Sequence, residues 1–191
     1  MERSDGSFET ERLVIRRFTA DDWAGVQELA KDKESSSGRI YDHTWPTSEQ
    51  GAKGMAGWLA DRDTFHAACL ADGGRIIGLV SFNNIDAKGR LDLAHMFHTE
   101  FREKGYDTEA IRCMVDLAFA DPEVRTIVTH NAVDWRGQLT PLVALGFRET
   151  GRGRGSFAKD EEGKRIEFVG CSMEMTRHAW QRRAKCDPAE N

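Results

Sequence analysis

Apolar and polar positions switch along the chain between the two-residue period of a strand and the 3.6-residue period of a helix. The switches mark the elements. Residues 9–18, E-T-E-R-L-V-I-R-R-F, follow a polar start and predict a first strand. Trp23, Val26, Leu29 and Ala30 then recur at helical spacing, behind Thr19 or Asp21 as N-cap. A Ser/Gly-rich connection from Glu34 to Trp45 predicts a mobile loop. A second helix is expected from Thr47 or Ser48 to about Arg62, with Met55, Trp58 and Leu59 inward. Gly51, Gly54 and Gly57 weaken its propensity.

From Phe65 the pattern changes. F-H-A-A-C-L, the turn A-D-G-G and R-I-I-G-L-V-S-F predict a hairpin whose second strand is apolar almost throughout, as a strand covered on both faces would be. N-N-I-D-A-K-G leads into a third strand, R-L-D-L-A-H-M-F-H. A strong helix follows the next loop, with Ala110, Ile111, Met114, Val115, Ala118 and Phe119 on one stripe. R-T-I-V-T-H-N predicts another strand, L-T-P-L-V-A-L a short helical segment ending at Gly146-Phe147, and two closing strands flank K-D-E-E-G-K. The order β-α-α-β-β-β-α-β-α-β-β predicts one mixed α/β sheet flanked by helices. A single domain over residues 8–177 is expected, with flexible tails at 1–7 and 178–191.

Composition narrows the function. A 39% hydrophobic and 31% charged chain of 191 residues is typical of a globular protein that can bury a core unaided. No apolar run reaches a membrane span, and the N-terminus has no apolar signal region, so a cytoplasmic protein is expected. The formal net charge of −5 argues against nucleic acid as the main partner. Cys69, Cys113, Cys171 and Cys186 form no C-x-x-C pair and read as reduced structural thiols, and no metal site is expected. G-R-G-R-G at 151–155 lies among acids and reads as a strand-edge loop.

One stretch carries chemistry. F-R-E-K-G-Y-D-T-E-A, residues 101–110, joins a strand to a helix N-terminus, where unpaired backbone N–H groups and the helix dipole favour an anion. Arg102 and Lys104 add positive charge, and Gly105 permits close approach of the backbone. An oxidoreductase that binds phosphate is disfavoured, because no G-x-G-x-x-G follows a first strand.

The same stretch resembles the coenzyme A loop of the GNAT acetyltransferases, above all of their RimJ/RimL-like branch. His98, Glu100, Arg102, Lys104, Gly105, Tyr106, Thr108, Glu109 and Ala110 match in register. T-E-R-L-V-I-R-R-F-T-A-D-D, G-R-I-I-G-L-V-S-F and V-A-L-G-F-R-E-T-G are similar to further motifs of that branch and fall in its order, so the resemblance covers roughly 8–177. It implies the GNAT fold, with a twisted, mostly antiparallel sheet of about seven strands. It also implies an N-acyltransferase that uses acetyl-CoA and an amine acceptor (a protein N-terminus or a small amine), and it leaves room for a homodimer.

For cofactor binding the resemblance implies Met96, Phe97 and His98 on the preceding strand, Arg102, Glu103, Lys104, Gly105, Tyr106, Asp107 and Thr108 in the loop, and Asn131. His95 and Asp92, on the strand that lines the family's cleft, are the candidate general bases; alternation puts them on opposite faces unless the strand bulges. His66 and His130 read as structural. Trp45 and Trp58 fall where relatives build the acceptor pocket, although packing roles suit them as well.

Two departures stand out. Glu103 and Asp107 replace small residues, so two carboxylates flank the pyrophosphate position. Trp135, Gln138 and Leu142 stand where the family has asparagine, serine and tyrosine, which leaves Thr140 or a water to protonate the leaving thiolate. These departures keep a second reading open, a GNAT-fold binding module without catalysis.

Overall fold

A computed structural model describes residues 6–186; the remaining parts of both expected tails lie outside the described residues. Among the described residues eight strands form one sheet in the order β1-β2-β3-β4-β5-β6-β8-β7. They are β1 Phe8–Glu9, β2 Leu13–Arg17, β3 Phe65–Leu70, β4 Ile76–Ile85, β5 Arg90–Phe97, β6 Thr126–Ala132, β7 Arg148–Lys159 and β8 Arg165–Thr176. All neighbours are antiparallel except β5 and β6. Among the described residues five helices flank the sheet: α1 Trp23–Ser35, α2 Glu49–Ala60, α3 Tyr106–Ala120, α4 Arg136–Ala144 and α5 Arg177–Cys186. Among the described residues no helix is long and apolar enough to cross a membrane.

Each face of the sheet has its own core. Leu13, Ile15, Ile77, Val80, Leu93 and Phe97 pack against α3, α4 and Trp180. Ala67, Cys69, Leu79 and Met96 on the opposite face meet Val26 and Leu29 of α1 and Ala56 and Leu59 of α2. This double cover explains why Ile76 to Ser81 are all buried.

Three expectations change. Trp58 is 45% exposed, because α2 presents Ala52, Ala56 and Leu59 to the sheet instead. The Glu34–Trp45 connection contains a 3-10 turn, Ser37–Tyr41, and is tied to α1. There the buried Lys33 ammonium donates to the His43 carbonyl and, at 2.8 Å, to Glu34 Oε1, which also accepts from Trp45 N–H at 2.8 Å. Finally, residues 178–186 continue α5 rather than fraying. Trp180 is buried beside Phe119 and donates to Asp116 Oδ1 at 2.7 Å.

Candidate active site

β5 and β6 pair only from Arg90–Asp92 to Thr126–Val128, then diverge. β5 stays bonded to β4 as far as Phe97, and β6 to β8 as far as Ala132. From Leu93 to Phe97 the β6-facing edge of β5 therefore has no ladder partner, and its peptide groups are open to an incoming chain. A cavity of about 400 Å³ occupies the gap, lined by His95, Asn131, Trp135 and Gln138 among others.

His95 is buried inside this cleft, and its Nε2 lies 3.2 Å from the Gln138 carbonyl oxygen. A carbonyl oxygen only accepts, so Nε2 carries the hydrogen and Nδ1 keeps a lone pair. Nδ1 has no partner among the described residues. Burial pushes the imidazole down to about 4, against the smaller opposing effect of Gln138, so the ring is neutral at physiological pH.

The other catalytic candidates lie elsewhere. β5 keeps an unbroken register from Leu93 to Phe97, so Asp92 and His95 stay on opposite faces. The irregularity lies in β4 between Phe82 and Ile85, opposite Asp92. There Asn83 Nδ2 donates to Asp92 Oδ2 at 2.8 Å, outside the cleft lining. Thr140 is on the outer face of α4, exposed, and its hydroxyl donates back to the Arg136 carbonyl at 3.0 Å. Residues at neighbouring helical positions point about 100° apart, which turns Gln138 and Leu142 inward and Thr140 away from the cleft.

The anion loop is built on a left-handed step. Gly105 is the N-cap of α3 at φ +80°, where a side chain would be strained. Glu103 also has a positive φ, +61°, the only such non-glycine among the described residues. Arg12 holds the loop from outside: its guanidinium donates to the Lys104 carbonyl at 3.0 Å and to Glu109 Oε2 at 2.7 Å, and lies 4.2 Å from the Tyr106 ring centre. Glu109 also accepts from Thr10 Oγ1 and Arg12 N–H. Burial alone would raise the Glu109 carboxyl, but these hydrogen bonds prevail and hold it below the usual range. A second hollow, of about 720 Å³, borders Gly105, Thr108, Arg12 and Arg112, so there is open space beside the loop.

Asp107 does not cap the helix from solvent. It is buried, and its Oδ1 accepts from the Thr108 N–H at 2.7 Å, a first-turn amide of α3 that a bound anion would otherwise use. Burial raises the Asp107 carboxyl, with the Thr108 hydrogen bonds and the Arg102 charge opposing it. Burial likewise lowers Arg102, against Asp32 and Asp107. Each charge loses more by desolvation than it gains from the other. One terminal Arg102 nitrogen is buried without a partner among the described residues, and the guanidinium lies 5.5 Å from the Trp135 ring centre.

An acyl-CoA fits this loop on three observations: the helix N-terminus with its left-handed glycine, the orphaned Arg102 nitrogen, and the free β5 edge at Met96 and Phe97. One of the first-turn amides, that of Thr108, is already taken by Asp107. His98 offers backbone rather than ring atoms, since Nδ1 accepts from Glu100 N–H at 3.2 Å and Nε2 lies 3.6 Å from Asp32. Asn131 is half-buried on the cleft wall and donates to Thr129 Oγ1 at 3.2 Å. His66 is buried in the sheet, and His130 is exposed at 3.0 Å from Ser172 Oγ. Trp45 packs against the α1–α2 core.

Sequence reasoning missed Arg12 and Gln138 as working residues. Arg12 lies in a matched motif, but nothing local pairs it with Glu109, 97 positions away. Gln138 showed only as a departure.

A family model for the acetyltransferase (GNAT) domain matches residues 12–148. The chain is 23% identical over 143 residues to the uncharacterized N-acetyltransferase YnaD of Bacillus subtilis (strain 168), covering 74% of this chain and 82% of that protein. The structure is similar to the ribosomal-protein-S5-alanine acetyltransferase of Vibrio fischeri, with TM-score 0.73 and 16% identity over 91% of this chain and 98% of that one. It is also similar to Mycobacterium smegmatis RimJ in complex with CoA-disulfide, with TM-score 0.70 and 13% identity over 91% and 88% of the two chains.

Proposed function

Because the chain belongs to the GNAT acetyltransferase family, we propose that it transfers an acetyl group from acetyl-CoA to a primary amine, either a protein N-terminus or a small amine, in the cytoplasm. The observation that carries this reading is the neutral His95, whose Nδ1 lone pair is left unpaired in the gap between β5 and β6. When bound, acetyl-CoA would supply an acyl thioester, open to attack by a neutral amine.

The chain's own contribution is placement. Glu103 to Thr108 and Arg102 hold the phosphates, and the β5 edge at Met96 and Phe97 aligns the pantetheine arm. His95 Nδ1 accepts a hydrogen bond from the amine. Orienting two reactants can by itself remove about 7–11 kcal/mol of barrier. With its pKa near 4, His95 does not hold a proton at neutral pH; it orients the amine, whose proton leaves to water. The hydroxyl of Thr140 is turned away, so the departing thiolate takes its proton from water.

A second reading, a binding module without catalysis, rests on Asp107 occupying the Thr108 amide. Titration with acetyl-CoA by calorimetry, followed by a thiol-release assay with amines, separates the two. Micromolar binding with amine-dependent thiol release supports the enzyme. Absence of binding at millimolar acetyl-CoA overturns it.

A further inference from the structure

The acceptor side of the cleft is floored by backbone. Ala132 of β6 pairs with Gly170 of β8, and Gly170 pairs with Gly153 of β7. Paired residues of adjacent strands share a face, so this row crosses three strands with nothing larger than a methyl group. A Cβ at Gly153 would meet nothing within 4 Å, and one at Gly170 only ordinary contacts from 3.6 Å outward. The space above these two glycines is therefore not filled by neighbouring side chains, whereas the Ala132 end of the row is covered.

Aromatic rings wall it. Phe168 lies flat across Gly155, where a Cβ would come within 2.5 Å of its Cζ. Tyr41 meets Phe168 edge-on at 5.2 Å and stacks on Trp135 at 5.8 Å. Trp135 is in turn seated on Gly38, whose Cβ would lie 2.4 Å from Cζ2. His95 borders the same cavity from the α4 side, across the gap between β5 and β6.

We propose that the acceptor is an arylalkylamine: a flat aromatic ring lies on the Gly170–Gly153 part of the floor between Trp135, Tyr41 and Phe168, and carries its primary amine through the β5–β6 gap toward His95. A bare strip of peptide planes leaves a thin, flat space, and rings at its rim favour edge-to-face and stacked contacts with another ring. An alkyl chain gains burial there but none of that ring geometry. This inference rests on the acetyl-transfer reading for its chemistry, but not for the existence of the slot.

The test uses the full chain and its Gly153→Leu variant, whose added side chain meets open space and fills the floor; a thermal melt checks that the variant is folded. Acetyl-CoA binding is measured by calorimetry, and acetyl transfer is compared for 2-phenylethylamine, propylamine and a short peptide with a free N-terminus. Saturation-transfer NMR reads binding of 2-phenylethylamine without cofactor. The proposal expects kcat/KM for 2-phenylethylamine about tenfold above that for propylamine. That preference and the NMR signal should be lost in Gly153→Leu, with acetyl-CoA affinity unchanged. If propylamine or the peptide is used as well or better while acetyl-CoA binds, the arylalkylamine assignment falls and the transferase reading stands. If acetyl-CoA does not bind, the transferase reading falls and NMR decides the slot alone: a signal abolished by Gly153→Leu supports it, and its absence overturns it.

Discussion

Glu103 sits at φ +61° where the resembled family carries glycine, and this conformation can be tested apart from the charge. A non-glycine residue in the left-handed region costs roughly 1–2 kcal/mol. Replacing it by glycine relieves that cost but loosens the unfolded chain by about 0.5–1 kcal/mol. Glu103→Gly should therefore stabilise the protein by about 0.5–1 kcal/mol, or roughly 1–4 °C in Tm for a chain of this size. Glu103→Ala keeps the strained backbone and removes the carboxylate, so it should leave Tm nearly unchanged. Both variants remove one negative charge from an exposed loop next to the anion position, worth at most about 1 kcal/mol at contact in water. Both should tighten acetyl-CoA binding by about two- to fivefold. The assays are thermal denaturation followed by circular dichroism and calorimetric titration. If Glu103→Gly is no more stable than Glu103→Ala, the strain argument is wrong; if neither tightens binding, Glu103 does not face the phosphates.

Asp107→Ala frees the Thr108 amide and should tighten acetyl-CoA binding more than either Glu103 variant, about tenfold; an unchanged affinity would show that the carboxylate does not compete. Because burial raises the Asp107 carboxyl, its ionisation opposes folding as pH rises through its folded pKa, and Asp107→Asn should be as stable as the parent or more so at neutral pH. His95 has the opposite dependence: its folded pKa of about 4 lies below the ordinary 6.5, so the stability it lends to the neutral state is lost as pH falls from about 6.5 toward 4. The loss amounts to about 2 kcal/mol between pH 7 and 5, and urea midpoints of His95→Gln should lack that part of the acid sensitivity. The pH profile of kcat/KM should likewise show no inflection near pH 6.5, and one that vanishes in His95→Gln would overturn the neutral-imidazole assignment. Gly105→Val places a β-branched residue at φ +80° and should abolish acetyl-CoA binding; normal binding would remove the loop from the site.

The strands, the helices and their order were legible in the chain because they rest on local periodicity and turn chemistry. The two-residue and 3.6-residue patterns placed β3, β4, β5, β6 and α3 closely, and Gly105 between a strand and T-E-A marked the anion loop. Even the departures at Glu103 and Asp107 could be read as carboxylates beside a phosphate position. What they do could not. Whether Asp107 turns to solvent or into the protein depends on Arg102 and Trp135, held there by α4 and the loop after α1. Trp58 looked inward on helical spacing, but the smaller Ala52 and Ala56 let α2 lie closer to the sheet on another face. Thr140 and Gln138 are two residues apart, and only the docking of α4 on β6 decided which one reaches His95. The Ala132–Gly170–Gly153 floor joins three strands whose register no single strand encodes. Local sequence sets a residue's conformation, whereas the identity of its neighbours is fixed when distant segments pack, and the chemistry of this cleft lies almost wholly in those neighbours.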